Sequence, residues 1–197
     1  MTPEELTDRA FAAGLVQPDR RTCGAATLVA ARMVNDPAFA AYLVDGAGER
    51  IAERFRAAAL AMHRRTSSTL GAGPRMQLPW PRALGTSPWA LVRQLDTVAG
   101  VPGTRYGARL VLPHQRPRAF DAVCAAVAAG YASPLYVGNR LSPRHVVLGT
   151  RTTPRGLVVY DPAQGRRYPI TRADFVGARL DVAGWRVPWL VVLPRRP

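Results

Sequence analysis

Four side chains in this sequence have the types and spacing that nucleophilic catalysis needs: Gln17, Cys23, His145 and Asp161. Cys23 follows Thr22, a residue type favoured at helix N-caps, and Ala, Leu, Val and Met recur after it at helical spacing. The pattern predicts that Cys23 opens a helix. At that position the unpaired backbone N–H groups and the helix dipole favour the thiolate, which is the nucleophilic form of cysteine.

Gln17 lies six residues before Cys23, close enough for its side-chain amide to reach back over the target of the sulfur. A side-chain amide and the Cys23 backbone N–H can share the negative charge that develops on a carbonyl oxygen under attack. We therefore predict that Gln17 is an oxyanion donor.

His145 and Asp161 belong to two apolar segments, 144–150 and 157–161, that are predicted to form a β-hairpin. A turn centred at Thr153 would pair residues whose numbers sum to 306, as those of His145 and Asp161 do. Directly opposed residues of an antiparallel pair share one face, with Cβ atoms about 5 Å apart. The carboxylate could then hold one imidazole nitrogen and orient the other. A register shifted by one or two residues stays open, because hairpin loops vary in length.

A nucleophile, a base and an orienting carboxylate are the parts of a catalytic triad. Each part alone has a structural alternative, since a histidine in an apolar strand is often a core residue and Asp161, before a proline, suits a turn. Their joint occurrence favours catalysis. His63, at an arginine-rich helix end, and His114, in a proline-flanked loop, are predicted to be surface residues.

The formal charge of +14 arises from 27 basic residues, and every one of them is an arginine. They come as scattered pairs and form no single stripe, which favours a solvated basic surface with a preference for acidic substrates over a nucleic-acid-binding face. Of the two cysteines, Cys124 is predicted to be a small buried hydrophobe on a helix. Two cysteines and three scattered histidines give no metal-ligand spacing, so no zinc site and no cofactor are predicted.

No apolar run approaches the roughly 18 residues that a membrane helix needs. The acidic N-terminal residues lack the basic and apolar regions of a secretory signal, so a cytoplasmic location is expected, with export by a dedicated secretion system left open.

Helical patterns precede strand patterns along the chain, which predicts an α+β fold with an N-terminal helical part packed on an antiparallel sheet. The predicted helices are 4–13, 23–34, 37–44, 49–63, one from Pro88 to a stop at Gly100, 117–129 and a short one after Thr171. The predicted strands are 106–112, 135–137, 144–150, 157–160, 167–170 and 189–193. We expect one domain over residues 1–197, with a helical and loop insertion at about 35–85. Within it, 66–85 is a long irregular segment that could wall a substrate cleft.

Three motifs together resemble one known family. Gln17 with Cys23-Gly-Ala-Ala26 and Leu28 resembles the nucleophile motif of the bacteriocin-processing cysteine peptidases, the double-glycine peptidase family of the papain-like superfamily. The segment His145-Val-Val-Leu148 resembles the histidine strand of that family. Val159-Tyr-Asp-Pro-Ala-Gln-Gly165, with the helical segment that follows it, resembles the aspartate segment. The resemblance covers about the first 33 residues and everything from residue 87 onward.

The resemblance implies a papain-like fold in which Cys23 is the nucleophile, His145 the base and acid, Asp161 the orienting group and Gln17 the oxyanion donor. It implies acyl transfer from a peptide or protein substrate through a covalent acyl-enzyme, which makes the chain a cysteine peptidase or amidohydrolase. Three features depart from the family. We expect a stand-alone domain in place of one that precedes the membrane helices of a transporter, the segment at about 35–85 is longer and more helical, and Thr22 stands where the family often has an acidic residue.

Three other functions stay open. A toxin or effector domain of the same fold, acting as a deamidase, transglutaminase or protease, would have an immunity or inhibitor protein as its partner. A binding module could keep the fold without the chemistry. A DNA-binding protein would show an affinity that falls steeply with salt.

Overall fold

The computed structural model describes residues 1–46, 48–67 and 85–195 of the chain. Its α-helices are Pro3–Ala12 (α1), Cys23–Asn35 (α2), Pro37–Val44 (α3), Gly48–Ser67 (α4), Pro88–Gln94 (α5), Arg116–Ala128 (α6) and Arg172–Val176 (α7). Its strands are Tyr106–Leu110 (β1), Ser133–Gly138 (β2), Pro143–Thr153 (β3), Gly156–Asp161 (β4), Arg166–Ile170 (β5) and Val187–Pro194 (β6). The strands form one antiparallel sheet in the order β1-β6-β2-β3-β4-β5. The α+β prediction is confirmed.

The first three helices begin and end within one residue of their predicted bounds. Helix α4 is longer than predicted, because it begins at Gly48 and residues 64–67 continue it. The rest of the predicted irregular segment, residues 68–84, lies outside the described residues. The helix predicted to run to Gly100 changes type on the way, since a π-helical turn, Leu95–Ala99, follows α5.

Helix α2 is the centre of the larger core. It carries ten buried residues out of thirteen, most of them alanine or another small residue, so neighbouring elements approach it from several sides. Leu28 and Met33 of α2 share one buried cluster with Phe55 of α4 and Tyr160 of β4. Helices α3 and α4, from the segment predicted to be an insertion, thus contribute to the same core as the helix that begins with Cys23.

A second core lies on the opposite side of the sheet, under α6 and α7. Phe120 and Phe175 pack there against Val147 and Val159. Cys124 lies at the margin of this cluster and is half-buried, so the prediction that it is a buried hydrophobe is wrong. Both cysteines are free thiols.

The direct pairing of His145 with Asp161 is wrong, and the register is shifted by two residues, within the range that the sequence leaves open. Thr153 pairs with Gly156, so the turn comes later in the chain than expected, and a bulge between Gly149 and Arg151 reverses one residue of that shift. Beyond the bulge Leu148 pairs with Tyr160, and one further step along this register sets Asp161 opposite Val147. His145 and Asp161 are therefore diagonal neighbours on one face, within reach of each other, and are not directly opposed.

No helix in the described ranges has both the length and the apolar character that crossing a bilayer requires.

Candidate active site

Cys23 is the first residue of α2, as predicted, and its side chain is buried. Thr22 stands at the N-cap position but forms no side-chain cap. Its hydroxyl donates instead to the carbonyl oxygen of Asp19, at 3.0 Å, and accepts the Asp19 N–H at 3.2 Å. Thr22 therefore has the predicted N-cap position, but the loop before the helix uses its hydroxyl. The N–H groups of the first turn donate no hydrogen bond to the Thr22 hydroxyl and can face an oxyanion.

The chain passes beside Cys23 again at Gly85 and Thr86. Gly85 has a φ of +71°, and a Cβ atom there would lie 3.6 Å from the Cys23 Sγ. A Cβ atom on Gly24 would come within 2.5 Å of the Thr86 Cβ, so the close approach of the two segments requires glycine after the cysteine. The Tyr136 hydroxyl donates to the Thr86 carbonyl oxygen at 2.9 Å and holds this segment against the sheet.

His145 and Asp161 form a buried hydrogen-bonded pair. His145 Nε2 lies 2.7 Å from Asp161 Oδ1, and the carboxylate is fully buried. The same Oδ1 accepts the Ala163 N–H at 2.9 Å, and Oδ2 accepts the Tyr168 hydroxyl at 3.2 Å. Three donors therefore fix the orientation of the carboxylate, which in turn fixes the imidazole ring.

The protonation of this pair follows from its contacts. Burial alone would lower the pKa of His145, but the hydrogen bonds to Asp161 and to Cys23 and the charges of both groups raise it to about 9. Burial alone would raise the pKa of Asp161, but the hydrogen bond and charge of His145, with the donors Ala163 and Tyr168, hold it below its usual value. At neutral pH the imidazolium and the carboxylate are both the favoured forms.

His145 thus lies beside both of the other predicted triad members. Its Nε2 is engaged by Asp161, and the Cys23 side chain is near enough to raise its pKa, so Nδ1 is the ring nitrogen that remains for the sulfur. An imidazolium beside a sulfur favours the thiolate, and a thiolate is the attacking form of cysteine.

Gln17 forms hydrogen bonds both to the turn after Asp161 and to the loop before Cys23. Its backbone N–H donates to the Pro162 carbonyl oxygen at 2.8 Å, which joins it to the turn after Asp161. Its Nε2 donates to the Asp19 carbonyl oxygen at 2.7 Å, in the loop that leads to Cys23. One N–H of this amide is used there, and the second remains for another acceptor. Its Oε1 is buried and accepts no hydrogen bond from the described residues.

A glycine also lets the turn after Asp161 approach the segment that carries Gln17. Gly165 has a φ of +66°, and a Cβ atom there would come within 2.6 Å of the Val16 Cγ2. The Gly165 N–H donates to the Asp161 carbonyl oxygen at 2.8 Å and closes the turn. This turn packs on the segment that carries Gln17 because residue 165 has no side chain.

Sequence reasoning missed Tyr168 and Gly85. Tyr168 lies on β5, across from Val159, so only the strand pairing reveals that its hydroxyl reaches Asp161. Gly85 lies more than sixty positions from Cys23 in the sequence, and a local pattern carries no sign of that contact.

The remaining histidines lie elsewhere. His114 is exposed, as predicted, whereas His63 is half-buried and its Nδ1 has no partner among the described residues. The surface prediction is therefore wrong for His63. In the described part of the chain, no group of three or more His, Cys, Asp and Glu side chains is arranged to hold a metal ion.

No family model matches this chain, and no curated protein matches it. Its function is therefore inferred from its residues and their geometry.

Proposed function

We propose that this protein is a cysteine peptidase or amidohydrolase with a papain-like fold, acting on a peptide or protein through Cys23, His145 and Asp161. The observation that carries the proposal is the position of His145. It is hydrogen-bonded to the buried Asp161 carboxylate through Nε2, and the Cys23 side chain is near enough to raise its pKa, so one imidazole stands between a nucleophile and an orienting group.

The first half of the reaction forms the acyl-enzyme. The Cys23 thiolate attacks the carbonyl carbon of an amide, and the electron pair of the carbonyl moves to its oxygen. His145 then gives its proton to the leaving nitrogen, and the C–N bond breaks. The products of this half are a thioester on Cys23, a free amine and a neutral imidazole.

The second half needs water. Neutral His145 removes a proton from a water molecule as its oxygen attacks the thioester carbon, and the C–S bond breaks. The products are a carboxylic acid and the regenerated thiolate and imidazolium pair. In both halves the Cys23 backbone N–H and the second N–H of the Gln17 amide would receive the oxyanion.

The arrangement of elements supports the papain-like fold. The nucleophile opens the central helix, the base lies on the sheet strand packed against that helix, and the orienting group ends the next strand. Thr27 of α2 donates to the Val146 carbonyl oxygen, which joins the helix to the strand one residue beyond the base.

Alkylation of the intact protein tests the proposal without a known substrate. At pH 6 an ordinary thiol with a pKa of about 8.5 is almost wholly protonated and reacts slowly with iodoacetamide. Wild type should gain one label quickly, mapped by mass spectrometry to Cys23, and His145→Ala should lose this fast phase.

Cys124 provides the internal control. Burial and the charge of Asp121 raise the pKa of this half-buried thiol, so it should stay unlabelled at pH 6. Cys124→Ala should therefore label like wild type, and Cys23→Ala should not label at all. Slow labelling of Cys23 that is indifferent to His145 would overturn the proposed chemistry.

A further inference from the structure

A basic cavity lies on the sheet away from Cys23, and no role has been given to it above. It has a volume of about 630 Å³ and is bounded by β3, β4, β5, the β3–β4 turn and the end of α1. Arg151 and Thr153 contribute to it from β3, which places this part about 20 Å or more along the strand from His145. Its volume is in the range of small-ligand and side-chain pockets.

Four arginines surround the cavity: Arg151, Arg155, Arg166 and Arg167. None of the described residues that line it is acidic. Arg167 forms an ion pair with Asp8, whose Oδ1 lies 2.7 Å away, while Arg166 donates only to the neutral Gln164 side chain. The cluster therefore keeps an excess of positive charge, which favours an anionic ligand.

Arg151 and Arg155 are the two free guanidinium groups. Both side chains are exposed, and within the ranges that the structure describes neither forms an ion pair or a side-chain hydrogen bond. A guanidinium can donate two parallel hydrogen bonds to a carboxylate, so each of these two groups can bind one carboxylate.

The wall between the arginines is apolar. Val158 and Phe11 line it and are nearly buried, and Pro154 and Pro169 line it from the turn and from the edge strand. An apolar wall makes no favourable contact with a bare phosphate or a nucleic-acid backbone, but it favours a ligand that carries an aliphatic side chain.

We propose that this cavity binds an acidic segment of a partner protein, with carboxylates on the free arginines and an aliphatic side chain against Val158 and Phe11. None of Cys23, His145 and Asp161 lines the cavity, although Tyr168, which does, also donates to Asp161. It does not depend on the peptidase activity proposed above, so either proposal can fail without the other.

The test uses a fluorescein-labelled hexapeptide of four glutamates flanking two leucines, with fluorescence anisotropy as the readout. The full chain carrying Cys23→Ala is titrated, so that the peptide cannot be cleaved. Arg151→Gln with Arg155→Gln should weaken binding at least about tenfold, because two charge-assisted contacts are lost. The matched control, Arg109→Gln with Arg118→Gln, removes the same charge from exposed positions outside the cavity and should bind like the parent.

Two further comparisons separate a built site from general attraction to a basic protein. A peptide with serines in place of the leucines should bind more weakly, and Ala12→Trp, which inserts an indole at the exposed rim, should weaken binding with all arginines present. Equal weakening by the two arginine pairs would overturn the proposal. So would tighter binding of a short single-stranded RNA at the same arginines, or indifference to the leucines.

Discussion

The hydroxyl of Thr27 donates a hydrogen bond of 3.1 Å to the backbone carbonyl oxygen of Val146, and the contact is buried. Thr27 lies one turn after Cys23 on α2, and Val146 follows His145 on β3. This one bond therefore fixes the start of the central helix against the strand that carries the imidazole. It helps to set the spacing between the nucleophile and the base, because a hydrogen bond adds a directional contact to the apolar packing of the two elements.

Thr27→Val should lower both stability and thiol reactivity. Valine has nearly the same shape as threonine, but it cannot donate to the Val146 carbonyl oxygen, and the loss of one buried hydrogen bond costs about 0.5–1.5 kcal/mol. Urea denaturation measures this loss, and iodoacetamide labelling at pH 6 measures the reactivity of Cys23. Thr27→Ser keeps the hydroxyl and should retain most of the reactivity. A valine variant that labels as fast as wild type would show that the bond does not set the geometry.

Gly85→Ala should slow the alkylation of Cys23. The new methyl group would lie 3.6 Å from Sγ and would screen it, and an alanine at this positive φ costs about 1–2 kcal/mol of stability. Gly103→Ala is the matched control, since Gly103 has a φ of +78° and no atom within 4 Å of the added Cβ. Both variants should lose similar stability, and only the change at Gly85 should alter labelling. Equal labelling of the two would remove Gly85 from the approach to the sulfur.

The sequence predicts local structure here better than it predicts contacts between distant segments. Helix α3 has its predicted bounds because Asp36 caps it, accepting the Phe39 N–H, and Pro37 suits its first turn. The pairing of His145 with Asp161 was also predictable from the apolar hairpin, although its register was not. The turn lies later in the chain than predicted, and a bulge one residue long reverses part of the shift; neither leaves a mark in the alternation of apolar residues.

The contacts that complete the site have no local signal. Thr22 has the residue type of an N-cap, but the nearby Asp19 backbone takes its hydroxyl, and the two uses compete at nearly equal energy. Thr27 resembles any polar residue in a helix until Val146 is placed beside it. Such positions depend on the packing of α2 against the sheet, which a single sequence does not specify.

The stability of the protein should fall as the pH rises from about 6.5 to about 9. His145 has a pKa near 9 in the fold against 6.5 for an ordinary histidine, so the folded state binds this proton more tightly. That contribution is complete below the unfolded pKa and is lost as the pH rises through the folded pKa, with a slope of at most about 1.4 kcal/mol per pH unit. Urea midpoints across this range measure it. His145→Ala should lack this slope, and parallel curves for the two proteins would contradict the assignment.

Asp161→Asn should slow the alkylation of Cys23 at pH 6, but by less than His145→Ala does. The amide oxygen can still accept a hydrogen bond from the imidazole, but it no longer supplies the negative charge that raises the pKa of His145. The imidazolium beside the sulfur then becomes less favoured, and the reactive thiolate with it. Rates measured from pH 5 to 9 should show the rise in rate that accompanies thiolate formation moving to higher pH. An unchanged profile would contradict the orienting role of Asp161.

Tyr168→Phe should destabilise the fold in a pH-dependent way. The Tyr168 hydroxyl is one of three donors to the Asp161 carboxylate, and the pKa of that carboxyl is held below its usual value partly by this contact. A depressed pKa contributes stability that is present at neutral pH and is lost as the pH falls through the folded pKa. The variant should therefore lose about 1–3 kcal/mol at pH 7, and the difference from wild type should shrink as Asp161 becomes protonated. Urea denaturation at pH 7 and at successively lower pH measures this difference.

Pro169→Ala, on the same strand but without a contact to Asp161, is the control, and its effect should not vary with pH. A deficit of the same size at every pH would mean that Tyr168 contributes packing alone and does not act on the carboxylate.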